Sequence, residues 1–179
     1  MSAVTPHASI PVGVVVERRR AMSPWLDVIW RPVTVLSGLS GGLPDTPAWT
    51  ALSATQDVAT FYAGGTAIAL YRTETAHYRS NLTSQRPSLW IALRPTGADP
   101  PYRLFAVTAD PAEGESFTQA GGDLVEAVPM PAAVREAIAE FVAAHHVEQP
   151  FYRRKRNGAD AAAPARPMRK DRDRKDRDP

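Results

Sequence analysis

Apolar side chains recur with period two near the start of the chain. Ile10, Val12, Val14 and Val16 alternate with Pro11, Gly13, Val15 and Glu17. Alternation carried by β-branched residues predicts a strand over 10–16. Pro11 and Gly13 place its beginning at a sheet edge or a bulge. Arg18, Arg19 and Arg20 then leave the core. After Ser23-Pro24, Leu26, Val28 and Trp30 fall on one face with Ile29 opposite. Pro32 interrupts that ladder, and Val33 and Val35 continue as a second short strand or a bulged extension. Residues 37–44 read as a loop, and residues 45–56 show no clear period. Trp49 and Leu52 are the expected anchors there.

Residues 58–62 and 66–72 predict a β-hairpin turned by Gly64-Gly65, because glycine supplies positive φ. Tyr78 and Leu82 are four residues apart after Thr73 and Thr75, which predicts a short helix ending before Arg86-Pro87. Residues 89–93 and 104–108 predict two strands joined by a loop over 96–101. Residues 111–122 are acidic and glycine-containing and read as a loop, followed by a strand over 124–128. Val134, Ile138, Phe141 and Val142 form one helical stripe in the segment 131–147, with Pro131 at its start. The fold expected is α+β: a mainly antiparallel twisted sheet, a short middle helix and a C-terminal amphipathic helix.

Composition sharpens this picture in three ways. The 17 prolines among 179 residues are scattered, which suits many short elements. The absence of cysteine excludes disulfides, thiolate metal ligands and a thiol nucleophile. No apolar run approaches the ~20 residues of a membrane span, and no signal-peptide pattern is present, so the cytoplasm is the default location. The net charge of +2 hides an asymmetry: residues 152–179 carry 11 Lys/Arg against 5 Asp/Glu, and the remainder carries 10 against 14. The basic character therefore belongs to the tail. With one large apolar side chain after position 156, Met168, the tail cannot offset its ordering entropy. The domain reading is a frayed N-terminus over 1–9, a single domain over 10–150 and a disordered tail over 151–179.

No catalytic constellation emerges. Gly38-Leu39-Ser40-Gly41-Gly42 has the letters of a nucleophile elbow, but Leu43-Pro44-Asp45 is a poor helix start, so a loop is expected. No phosphate-binding glycine loop is present. His145 and His146 are adjacent and point about 100° apart on a helix, and His77 has no ligand set beside it in sequence. Neither a metal site nor a cofactor is expected. Arg18, Arg19 and Arg20 read as a solvated turn, with binding of a phosphate or an acidic partner as the alternative. The tail mixes Asp and Arg almost one for one, so nucleic acid is not the expected partner, although weak binding through the tail remains the third reading. Trp25 and Trp30 are expected on opposite sides, one of them exposed as an interaction surface.

Several segments together resemble a known family. They are Ile10-Pro11-Val12-Gly13-Val14-Val15-Val16-Glu17, Ser23-Pro24-Trp25 with Trp30-x-Pro32, Leu70-Tyr71-Arg72-x-Glu74-Thr75-x-x-Tyr78-x-x-Asn81-Leu82, and Pro87-Ser88-Leu89-Trp90-Ile91-x-Leu93-Arg94. They are similar to the proteobacterial family called domain of unknown function 3305, over roughly residues 10–150. The resemblance implies an accessory role beside molybdenum-dependent formate dehydrogenase, with that enzyme or its TorD-like chaperone as partner. It supplies no catalytic residues. A second reading, an enzyme related to molybdopterin-guanine dinucleotide biosynthesis, lacks the glycine-rich loop after the first strand: Glu17-Arg18-Arg19-Arg20 stands there instead. The residues expected at an interaction surface are Arg18, Arg19, Arg20, Trp25, Trp30, Glu74, Tyr78 and Asn81.

Overall fold

The computed structural model describes residues 5–147 apart from 24, 39–42, 44 and 120. The elbow-like segment 38–42, apart from Gly38, and the basic tail lie outside the described residues. The fold is α+β, with two antiparallel sheets. Strands β1 (Ala8–Ser23), β2 (Leu26–Leu36), β3 (Thr50–Ala54) and β4 (Val58–Leu70) form the first, in the order β2-β1-β4-β3. Strands β5 (Ser88–Pro95), β6 (Tyr102–Thr108) and β7 (Leu124–Pro129) form the second, in the order β6-β5-β7. The sheets approach each other along two seams, β4 beside β6 and β2 beside β7. Val12, Val14, Val16, Ile68 and Leu70 from the first sheet share one core with Leu89, Ile91 and Leu93 from the second.

Among the described residues three α-helices complete the fold: α1 (Thr75–Leu82), α2 (Pro111–Gln119) and α3 (Ala132–His145). The stripe expected on α3 is the one that is buried: Val134, Ile138, Phe141 and Val142. Tyr78 of α1 packs edge-on against Phe141, with ring centroids 6.3 Å apart. Helix α2 lies against the second sheet, where Gly114 lets its backbone approach the ring of Trp90.

Four expectations change. The first strand does not stop at residue 16: it begins at Ala8 and runs on through Arg18, Arg19 and Arg20, because both neighbours supply ladder partners. His7 is also tied down, its N–H donating to the Leu70 carbonyl at 2.9 Å. Gly64-Gly65 is not a turn. β4 passes straight through it, paired with β1 on both sides, with a register shift at Val14/Val15 that absorbs the irregularity. Gly64 has φ 128°, so glycine permits a bulge here instead of a reversal. Pro32, by contrast, sits at a register shift opposite Val16 and β2 runs on through it, the bulged extension of the two readings expected there. The segment 45–56 contains β3, and 111–122 contains α2. That helix is capped by Asp110, whose carboxylate accepts from the Ala112 N–H at 2.8 Å.

Candidate functional site

The outer halves of β1 and β2 form a ribbon that outruns the rest of the sheet. The last β4 partner on β1 is Arg19, opposite Val58. Past Arg20, whose N–H donates to Asp57 at 2.8 Å, only β2 continues alongside, to the pair Ser23 and Leu26. Two-stranded ribbons are marginal alone in water. This one is anchored at its base by an aromatic cluster. Trp30 meets Trp49 edge-on at 5.8 Å and Phe61 at 5.5 Å. The Arg18 guanidinium lies 5.9 Å from the Trp30 ring and 5.7 Å from the Phe61 ring, a cation–π arrangement that covers the cluster.

The tip presents apolar side chains to solvent. Met22 is 105% and Trp25 89% exposed, and Leu26, Val28 and Ile29 are also open. Strand alternation divides the arginines between two faces. Arg18 and Arg20, opposite Trp30 and Val28, line one cleft of about 470 Å³ together with Asp27 and Asp57. Arg19 lies on the other face with Arg31, and both contact the Glu17 carboxylate, at 3.1 and 3.9 Å. The three guanidinium groups therefore do not converge on one anion. Trp25 and Trp30 divide as expected of them, one open to solvent and one packed.

The remaining expected surface residues lie elsewhere. Tyr78 and Asn81 are not on a surface: they face the interior from α1 and are 2% and 4% exposed. The Tyr78 hydroxyl accepts from the Tyr71 N–H at 3.2 Å, and burial pushes its pKa up to about 12. The Asn81 amide donates to the carbonyls of Ser88 and Ala109, both at 2.8 Å, and its oxygen accepts from the Ser88 N–H at 3.0 Å. Asn81 thus pins α1 to the start of β5 and to the end of β6. Helical periodicity turns Tyr78 and Asn81 inward with Thr75, and places Glu74 and His77 beside that buried stripe.

Glu74 belongs to a second cluster. Here His77 is not without partners, as its sequence neighbourhood suggests. Its Nδ1 is 3.1 Å from Glu74 Oε2 and 3.0 Å from Asp110 Oδ2. Asp110 arrives from 33 positions away because the β6–α2 junction packs beside α1. Its hydrogen bond lifts the His77 pKa above the ordinary value, against the opposing effect of partial burial. His145 and His146 do go separate ways. His145 packs on Phe141, and His146 lies 3.1 Å from the Thr75 hydroxyl.

Among the described residues no helix is long and apolar enough to cross a membrane. No curated protein and no solved structure matches the chain. The sequence model of one family does, over residues 11–155, which takes in both sheets, all three helices, the ribbon and the histidine cluster. The chain therefore belongs to the family described as Protein of unknown function (DUF3305).

Proposed function

We propose that this protein is a non-catalytic binding protein that docks a protein partner through the β1–β2 ribbon. The partner surface has an apolar centre and an acidic rim. The observation that carries the reading is the exposure of Met22 and Trp25 at the tip of the ribbon, with Leu26 and Val28 open on the face of Arg18 and Arg20 and Ile29 open on the face of Arg19 and Arg31. Apolar side chains grouped in this way, with cations around them, are costly to leave in water and suit a protein interface. A tryptophan as exposed as Trp25 is the residue type that carries binding energy once a partner covers it. The partner proposed, which the family resemblance implies, is a molybdenum-dependent formate dehydrogenase, or its TorD-like chaperone, during maturation.

The test is binding of the purified chain to each of those two proteins, with a Trp25→Ala/Ile29→Ser ribbon variant alongside. The expected result is a complex that weakens by about thirtyfold in the variant, the effect of losing a ~2 kcal/mol hot spot. Added salt also weakens it, because the arginines meet carboxylates. Equal binding by the variant rejects the ribbon. No binding to either protein, with unchanged formate dehydrogenase activity in a deletion strain, rejects the accessory role. Division of the arginines, Arg18 and Arg20 on one face and Arg19 on the other, favours docking over the nucleotide-chemistry reading.

A further inference from the structure

The geometry points to a divalent transition-metal site formed by Glu74, His77 and Asp110, which takes an ion of the Zn²⁺ class and leaves a coordination position to water.

The donors come from three fixed points. Glu74 closes the 3-10 turn Arg72–Glu74, and His77 follows three residues later on α1. Asp110 stands between β6 and α2. Its own N–H donates to the Thr108 hydroxyl at 3.0 Å, and Oδ1 is committed to the Ala112 N–H. Asn81 grips the preceding carbonyl, Ala109, from α1. The second oxygen of Asp110, Oδ2, is thereby left aimed at His77.

The three donor atoms all lie within 4.8 Å of one another. One nitrogen, Nδ1 of His77, faces both carboxylates at nearly equal distance. A single ring N–H makes one linear hydrogen bond and cannot serve two acceptors well. Even a protonated imidazole supplies one positive charge against two negative ones. A divalent ion in place of that proton meets all three donors and balances both carboxylates.

The distances fit such an exchange. Zinc lies ~2.0–2.1 Å from a histidine nitrogen and ~2.0–2.2 Å from a carboxylate oxygen, so tetrahedral donors stand about 3.3 Å apart. The two distances from Nδ1 are within a few tenths of that. The Glu74 side chain, about one-third exposed, has room to bring its oxygen closer to Asp110. The imidazole is 49% exposed, so ion and water reach it directly. Three protein ligands with one open position make the ligand count of an open zinc site rather than of a closed structural one. Such an ion would also clip the start of α1 to the start of α2.

The experiment uses the full chain, stripped with chelator and titrated with Zn²⁺ by calorimetry and with Co²⁺ by visible absorption. One equivalent is expected to bind, with a rise in melting temperature and a cobalt d–d band. Asp110→Asn keeps an oxygen to cap α2 but removes the anionic ligand. His77→Ala removes the nitrogen. Each should weaken binding by more than the about 10–100-fold that changes outside the ligand shell cost, with native circular dichroism. If His77→Ala does not fold, Asp110→Asn decides alone. No binding of either ion up to about 1 mM overturns the site. So does binding that persists in Asp110→Asn or in folded His77→Ala, which would assign the ion to His7, His145 or His146.

Discussion

Asn81→Ala is the sharpest test of how α1 is held. The side chain makes three hydrogen bonds, to Ser88 N–H, Ser88 carbonyl and Ala109 carbonyl, in a position that is 4% exposed. Among the described residues no buried side-chain polar atom lacks a partner, so the network is complete as it stands. Each bond contributes about 1 kcal/mol net, and a backbone group left buried without its partner adds about 1–3 kcal/mol. Water entering the space recovers part of this, so the expected loss is about 3–5 kcal/mol, against a typical total stability of about 5–15 kcal/mol. Urea unfolding followed by far-ultraviolet circular dichroism measures it, with an unchanged slope and a lower midpoint. Asn81→Asp separates the bonds from the shape. It keeps the acceptor for Ser88 N–H but sets a carboxylate oxygen against two carbonyls. It should be at least as destabilised at neutral pH and recover in part when acid protonates it. A loss below about 1 kcal/mol for Asn81→Ala would refute the reasoning and return Asn81 to the surface role that its motif suggested.

Three further outcomes follow from the packing. Gly114→Ala should destabilise by about 1–2 kcal/mol although alanine is the better helix former, because the added Cβ lies 2.6 Å from Trp90 Cδ1; an alanine variant with a higher urea midpoint would contradict this. Trp25→Ala should change stability by no more than about 0.5 kcal/mol, since the indole is exposed, and a larger loss by thermal melting would mean that it packs on something. Arg94 grips Asp123 through two bonds, 3.0 and 2.8 Å, and that hydrogen bonding holds the carboxyl below its ordinary value of 3.8. A lowered folded pKa gives stability that is present above the unfolded value and lost as pH falls through the folded one. The melting-temperature gap between the wild type and Arg94→Gln should therefore be constant above pH 3.8 and narrow as the pH falls further, leaving the pH-independent contact of Arg94 with the Phe105 ring, 3.6 Å away; a gap that widens in acid would reverse the assignment.

Periodicity was enough where one face of an element is buried. The α3 stripe stands where 3.6-residue spacing places it, and β5, β6 and β7 cover the segments expected as strands. It failed where glycine was read as punctuation. Gly64-Gly65 is tolerated inside a long strand because the neighbouring register shifts around it, as it does at Pro32, where a bulged extension is one of the two readings; register is a property of pairs, invisible in one strand alone. Helix α2 had a local signal. Asp110, Pro111 and Glu113 are an N-cap, a first-turn proline and a first-turn acid. Gly114 and the polar composition masked it, and Gly114 is there because Trp90 lies beneath it.

The histidine cluster was beyond reach of the sequence for a different reason. His77 and Glu74 are three apart and share a helix edge, but the third member comes from residue 110. What brings it there is Asn81. On a helix turning about 100° per residue, positions 75, 78 and 81 face inward while 74 and 77 fall on the rim beside them. The buried residues of the motif hold α1 against the β6–α2 junction, and the rim residues then meet Asp110 at a place that solvent also reaches. One short motif therefore holds two kinds of residue, those that fix a position and those whose chemistry uses it. Spacing lists both alike, and only burial separates them. The ribbon shows the converse: Trp25 and Trp30, alike in sequence, are divided by whether Trp49 and Phe61 lie within reach. The exposed member of that pair belongs to the surface proposed for a partner, and the packed one anchors the base of the ribbon.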